Sequence, residues 1–115
     1  MKTWKQGVVG KLLLSNGKCI FIKCLKYPLA AFYEYFSVET NNLENLLFYT
    51  FIDLSVLRNI EKLGFIKMNP IEKNLSSLFS MDYQLQLLSM TDELDVINKG
   101  LLKLHEIEDC VKQKR

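Results

Sequence analysis

The one histidine of this chain, His105, stands beside Glu106, Glu108 and Asp109. On a helix, positions 105, 108 and 109 share a face, so an imidazole and two carboxylates meet there as a possible metal set. A lone histidine among hard oxygen donors is a poor zinc site, and the residues read better as a solvated helix face. The three cysteines supply no second site. Cys19 and Cys24 are an odd five residues apart, which puts them on opposite faces of one strand and poorly placed to bridge, and Cys110 is remote in sequence. With no C-x-x-C spacing, neither a disulfide framework nor a zinc site is expected. All three read as small buried apolar groups in a reducing compartment. No nucleophile has a base beside it, and there is no glycine-rich phosphate loop or His-Glu helix motif. The sequence therefore predicts no enzyme, no cofactor and no metal: a protein that acts by binding.

The residues best suited to binding lie in KYPLAAFYEYFS, residues 26–37, which holds five aromatics in twelve positions. Read as a strand, it puts Phe32, Glu34 and Phe36 on one face and Ala31, Tyr33, Tyr35 and Ser37 on the other. Phe32 and Phe36 are expected in the core. Tyr27, Tyr33 and Tyr35 are the expected partner anchors, since a tyrosine tolerates a half-wet surface. Charge is split along the chain. Residues 1–30 carry six lysines and no acid, whereas residues 82–109 carry seven acids against Lys99 and Lys103. Asp92, Glu93 and Asp95 are the expected partners of a basic surface. A rival reading makes Lys5, Lys18, Lys23, Phe21 and Tyr33 a stacking platform for single-stranded nucleic acid. The chain has only two arginines, Arg58 and Arg115, and a pI near 8.4, below the value above about 9 expected of a dedicated binder, so nucleic acid is not the expected partner.

These side chains need a frame. At 115 residues the chain is expected to form one domain, 1–115, and its 49% apolar content is enough for a sizeable core. No apolar run reaches the roughly 18 residues of a membrane span, and the N-terminus lacks a signal-peptide cleavage pattern, so the expected compartment is the cytosol. Asn16-Gly17 between VVGKLLLS and KCIFIKCL predicts two strands, about 8–15 and 18–25, joined by a type I′ turn. Cys19, Phe21 and Lys23 should point one way and Ile20, Ile22 and Cys24 the other, so both faces are covered. Pro28 turns the chain, AAFYEYFSV is a third strand, and LENLLFYTFI is a fourth. DLSVLRNIEKLG has helical spacing, with Asp53 as cap and Gly64 as stop. Asn69-Pro70 ends the next short strand, the stretch from Ile71 to Phe79 is ambiguous, and DYQLQLL alternates like a strand. Thr91 can cap a turn led by Asp92 and Glu93 that Gly100 stops, and LHEIEDCVKQKR gives a closing helix. The predicted class is α+β: a small antiparallel, strongly bent or barrel-like sheet of about five to six strands. One or two short helices accompany it, the last at the C-terminus.

The order of these features carries a likeness. The Trp4-Lys5-Gln6-Gly7 entry is followed by the aliphatic strand 9–14, the Asn16-Gly17-Lys18 turn and the aromatic strand around Phe21. They lead into Leu25-Lys26-Tyr27-Pro28-Leu29-Ala30-Ala31-Phe32-Tyr33-Glu34-Tyr35. This run resembles the immunity protein 26 family of bacterial polymorphic-toxin systems. The likeness covers residues 4–36 well, extends to about 82 through Glu61–Met68, Leu78-Phe79 and Asp82, and thins beyond. Val8 stands where the family has an acidic residue, Ile60 where it has a tryptophan, and the last third is shorter than usual. The resemblance implies a strand over 62–68 leaving a loop, so the expectation for this region becomes a helical turn at 55–60 and a strand at 63–68. It also implies a cytosolic immunity protein that neutralises a cognate toxin by non-covalent binding, with no catalytic or binding residues to carry over. An inhibitor encoded by a phage or mobile element, aimed at a bacterial defence or host enzyme, would have the same features.

Overall fold

A computed structural model describes residues 1–77 and 96–114. The expected strands Asp82–Leu88 and the turn capped by Thr91 lie outside the described residues, as do Leu78, Phe79 and Asp82 of the family likeness. Six strands form one curled, mixed sheet: β1 (Val8–Leu13), β2 (Cys19–Cys24), β3 (Leu29–Ser37), β4 (Asn42–Ile52), β5 (Ile60–Phe65) and β6 (Val96–Leu102). Their order across the sheet is β5-β1-β2-β3-β4-β6. Among the described residues two helices accompany them, α1 (Pro70–Ser77) and α2 (Leu104–Lys114), so the class is α+β with its last helix as predicted. The sheet is not purely antiparallel, because β6 runs parallel to β4. Between them the chain first makes β5 on the far edge and then α1, the kind of crossover that parallel neighbours require. Among the described residues no helix is long and apolar enough to cross a membrane.

Both faces of the sheet are covered, as the two-sided apolar pattern of β2 requires. Leu12, Ile20, Ile22, Phe32, Phe48 and Ile60 pack against Ile107, Cys110 and Val111 of α2. Phe32 and Phe48 are register partners whose rings stack with centroids 5.0 Å apart. The alternate positions Leu25, Leu29, Ala31, Tyr49 and Phe51 form a second cluster closed by Leu75 of α1. Glu108 holds α2 to the β1–β2 turn by accepting from Ser15 N at 3.0 Å and Ser15 Oγ at 2.6 Å, and these bonds pull its carboxyl below the usual value.

Several local expectations are corrected. The β1–β2 turn is not type I′, because only Gly17 has positive φ (83°). Gly17 N donates to Leu14 O at 3.1 Å and Leu14 N to Lys18 O at 2.8 Å, a longer loop ending in a left-handed glycine. Asp53 does cap a helical turn, accepting from Ser55 N at 2.9 Å, but that 3₁₀ turn stops at Asn59. Ile60 is buried as the first residue of β5 rather than the next turn of a helix, because β1 offers it a ladder partner in Leu12. The strand therefore spans 60–65 instead of 63–68, and Gly64 pairs with Val9 instead of capping a helix. Gly100 lies inside β6 with φ 80°, near the register shift against β4, and stops no helix. Phe36 is half-buried on Phe21, centroids 5.9 Å apart, and does not join Phe32 and Phe48. A bulge against β4 between Phe32 and Tyr33 resets the register there.

At Gly10 the backbone of β1 passes so close to β5 that an added Cβ would overlap Ile60 Cγ2 and lie 3.2 Å from Glu61 O. Gly10→Ala is therefore expected to cost about 1–3 kcal/mol, read as a lower urea midpoint at unchanged slope.

Candidate docking face and adjacent cleft

Strand register sorts one sheet face into rows. The inner row runs Gly64, Val9, Lys23, Ala31 and Tyr49; α1 covers it, and all but Gly64 are buried. The next row is Glu61, Lys11, Phe21, Tyr33 and Leu46, with the last four only half-buried. Past the end of the β2–β3 ladder at Phe21 and Tyr33, Leu13 lies opposite Cys19 and, separately, Tyr35 opposite Glu44; Leu13 is 56% and Tyr35 57% exposed. Burial thus falls away from α1, leaving Phe21 and Tyr33 half-buried side by side with Phe36 against the Phe21 ring. Lys11 and Glu61 flank this cluster on β1 and β5. Glu34 also sits at this end of β3, accepting from Asn45 Nδ2 and, at 3.5 Å, from the Tyr35 hydroxyl.

The sequence-predicted anchors divide. Tyr33 stands beside Phe21 in this cluster, whereas Tyr35 is exposed further along β3, past the end of the β2–β3 ladder. Tyr27, 40% exposed, lies at the other end of β3, in the β2–β3 turn with a cis Tyr27-Pro28 peptide. Its ring meets the edge of Trp4 at 5.2 Å, and Trp4 Nε1 donates to Leu25 O at 2.7 Å. Asp92, Glu93 and Asp95 lie outside the described residues. His105 is exposed on α2; Glu106 accepts from Lys103 N and Glu108 from Ser15, so two of its acidic neighbours already have backbone partners. Among the described residues no three metal-ligating side chains converge. All three cysteines are free; burial pushes the Cys24 thiol up to about 12, whereas Cys19 is half-exposed opposite Leu13, not buried as expected.

A second feature adjoins Tyr33. Lys23, on the inner row, is not a solvated lysine: it is 3% exposed and its ammonium lies 2.7 Å from Glu72 Oε1 of α1, itself 0% exposed. Lys23 Nζ also donates to Lys67 O at 2.9 Å. The same Glu72 Oε1 accepts from Asn69 N at 2.8 Å, while Asn69 Oδ1 accepts from Glu72 N at 2.8 Å, a reciprocal cap with Pro70 at the first helical position. Glu72 Oε2 is buried with no partner. These groups line a cleft of about 180 Å³ between the start of β4 (Asn42, Leu43) and the segment after β5. Burial, helped by the charge of Glu72 and by Tyr49, pushes the Tyr33 phenol well above its ordinary value, so its hydroxyl stays neutral.

Sequence reasoning missed this pair because it gave Lys23 to the basic head. The signal was present: Asn69-Pro70-Ile71-Glu72 is a capping-box pattern with proline at its start, and Lys23 alternates with aliphatics on a strand covered on both faces. Comparison of the chain with protein-family models, with curated proteins and with solved structures finds no match to any of the three.

Proposed function

We propose that this protein is a cytosolic immunity-type inhibitor that neutralises a cognate toxin by non-covalent docking. The single observation that carries the reading is the half-open aromatic cluster of Phe21, Tyr33 and Phe36, with Lys11 and Glu61 beside it and exposed Tyr35 next along β3. A few aromatic anchors within a ring of charges is the arrangement from which protein interfaces draw most of their affinity. The run from Trp4 to Tyr35 that resembles the immunity protein 26 family supports the same reading, and this patch lies on strands of that run. The acids Asp92, Glu93 and Asp95 would steer encounter with a basic toxin surface. An inhibitor carried by a phage would dock in the same way and differ only in its gene neighbourhood.

The nucleic-acid reading loses one of its members, since Lys23 is buried and neutralised by Glu72 and cannot reach a phosphate. The deciding experiment is co-expression with the toxin encoded by the neighbouring gene. Growth is expected to be restored by the wild-type chain; failure of that rescue, together with strongly salt-dependent binding of a labelled oligonucleotide, would transfer the reading to nucleic acid.

A further inference from the structure

Two open clefts share Arg58, at the junction of the 3₁₀ turn with β5. The first, about 460 Å³, is lined by Lys11, Leu13, Arg58, Ile60 and Glu61. The second, about 520 Å³, is lined by Met1, Lys2, Leu54, Leu57 and Arg58. Arg58 is exposed, and its Nε donates to Ser55 O at 3.1 Å, which restrains the guanidinium. Among the described residues no carboxylate lies within ion-pair distance of Arg58, Lys2 or Lys11. Each cleft also has a leucine largely in water, Leu13 at 56% and Leu54 at 53% exposed. The pair of clefts thus carries three cationic side chains against one acid, Glu61, with an apolar wall on either side of the arginine.

Charge and shape together narrow what fits. A guanidinium takes a carboxylate through two parallel N–H···O bonds. The exposed leucines call for apolar side chains on both sides of that carboxylate. A run of phosphates fits less well, because it would meet the charge of Glu61 in the first cleft. A bilayer surface offers a plane of headgroups rather than side chains that enter two hollows. We propose that the Arg58 clefts are a second docking site, for a segment of a partner protein in which one Asp or Glu stands between two bulky apolar side chains. The carboxylate pairs with Arg58, the apolar groups cover Leu13 and Leu54, and Lys2 and Lys11 speed encounter with the acidic segment. The site goes beyond the docking reading above, since Phe21, Tyr33, Tyr35 and Phe36 line neither cleft.

The test needs no toxin. The full chain, labelled with ¹⁵N, is titrated with the peptide acetyl-Leu-Ser-Glu-Ser-Leu amide, which in extended form puts both leucines and the glutamate on one side. Two control peptides carry Lys in place of Glu, or Ser in place of both Leu. Saturable shifts at Leu13, Leu54 and Arg58 are expected with the first peptide alone. No saturable shift overturns the proposal, as do equal shifts with the lysine peptide. Equal shifts with the serine peptide would show a charge background only and overturn it too. Vesicles of phosphatidylcholine with phosphatidylglycerol, and an oligothymidylate, are titrated alongside; perturbation of the same residues by either, without a response to the peptide, would hand the surface to a membrane or to nucleic acid. Arg58→Gln should keep the thermal midpoint, because the side chain is exposed, and should weaken the peptide about tenfold, or about 1.4 kcal/mol. Undiminished affinity in that variant ends the idea.

Discussion

Glu72→Ala is expected to lower the stability of this protein by about 3–5 kcal/mol, the largest loss we foresee from a single polar residue. The cause is the partner left behind. Lys23 is 3% exposed between β1, β3 and α1, and without Glu72 its ammonium keeps only Lys67 O as an acceptor. The substitution also removes one half of the cap on α1, a contribution of about 1 kcal/mol. Set against a typical total of about 5–15 kcal/mol, such a loss leaves a marginal fold. Replacing both members, as in Lys23→Met/Glu72→Leu, should return most of the stability, because well-packed apolar residues substitute for a buried ion pair at little or no net cost. Urea midpoints of the two variants check this. An alanine variant as stable as the wild type would mean that the pair is solvated and that α1 covers the sheet without it.

Phe32 and Tyr35 lie three residues apart on β3 and should respond in opposite ways. Phe32 is fully buried against Phe48, and Phe32→Ala is expected to cost about 3–5 kcal/mol of stability. Tyr35 is more than half exposed, so Tyr35→Ala should leave the thermal midpoint nearly unchanged. It should nevertheless weaken partner binding by about 2 kcal/mol, roughly thirtyfold in Kd, measured by titration calorimetry with the purified toxin. If Tyr35→Ala binds as tightly as the wild type, the open end of the sheet is not the docking face.

What could be read in advance follows from where the chain's determinants are local. Alternation in VVGKLL, CIFIKC and LAAFYEYFS placed β1 to β3 within a residue or two of their ends, and the Leu104, Ile107 and Val111 stripe placed α2. Beyond these, the outcome depended on distant partners. Ile60 fits a helical face with Val56 and Leu57 as well as it fits a strand, and only the presence of β1 alongside decides for the strand. The parallel placement of β6 is a property of the crossover and leaves no mark on VINKGLL. Phe36 was assigned to the core by strict alternation, which a bulge opposite Leu46 and Leu47 interrupts. The candidate site was legible in part: Tyr33 falls beside Phe21 as the pairing of β2 with β3 requires, whereas its grouping with Tyr35 assumed the same unbroken alternation that fails for Phe36. Tyr27 was grouped with them by composition, although the turn at Pro28 puts it at the other end of β3.

β3 is two different materials end to end. Its first four residues, Leu29 to Phe32, are sealed between the two clusters, while Tyr33 to Ser37 stand half in water. Substitutions in the second half should therefore change the surface of the protein while leaving the two clusters that hold the first half intact.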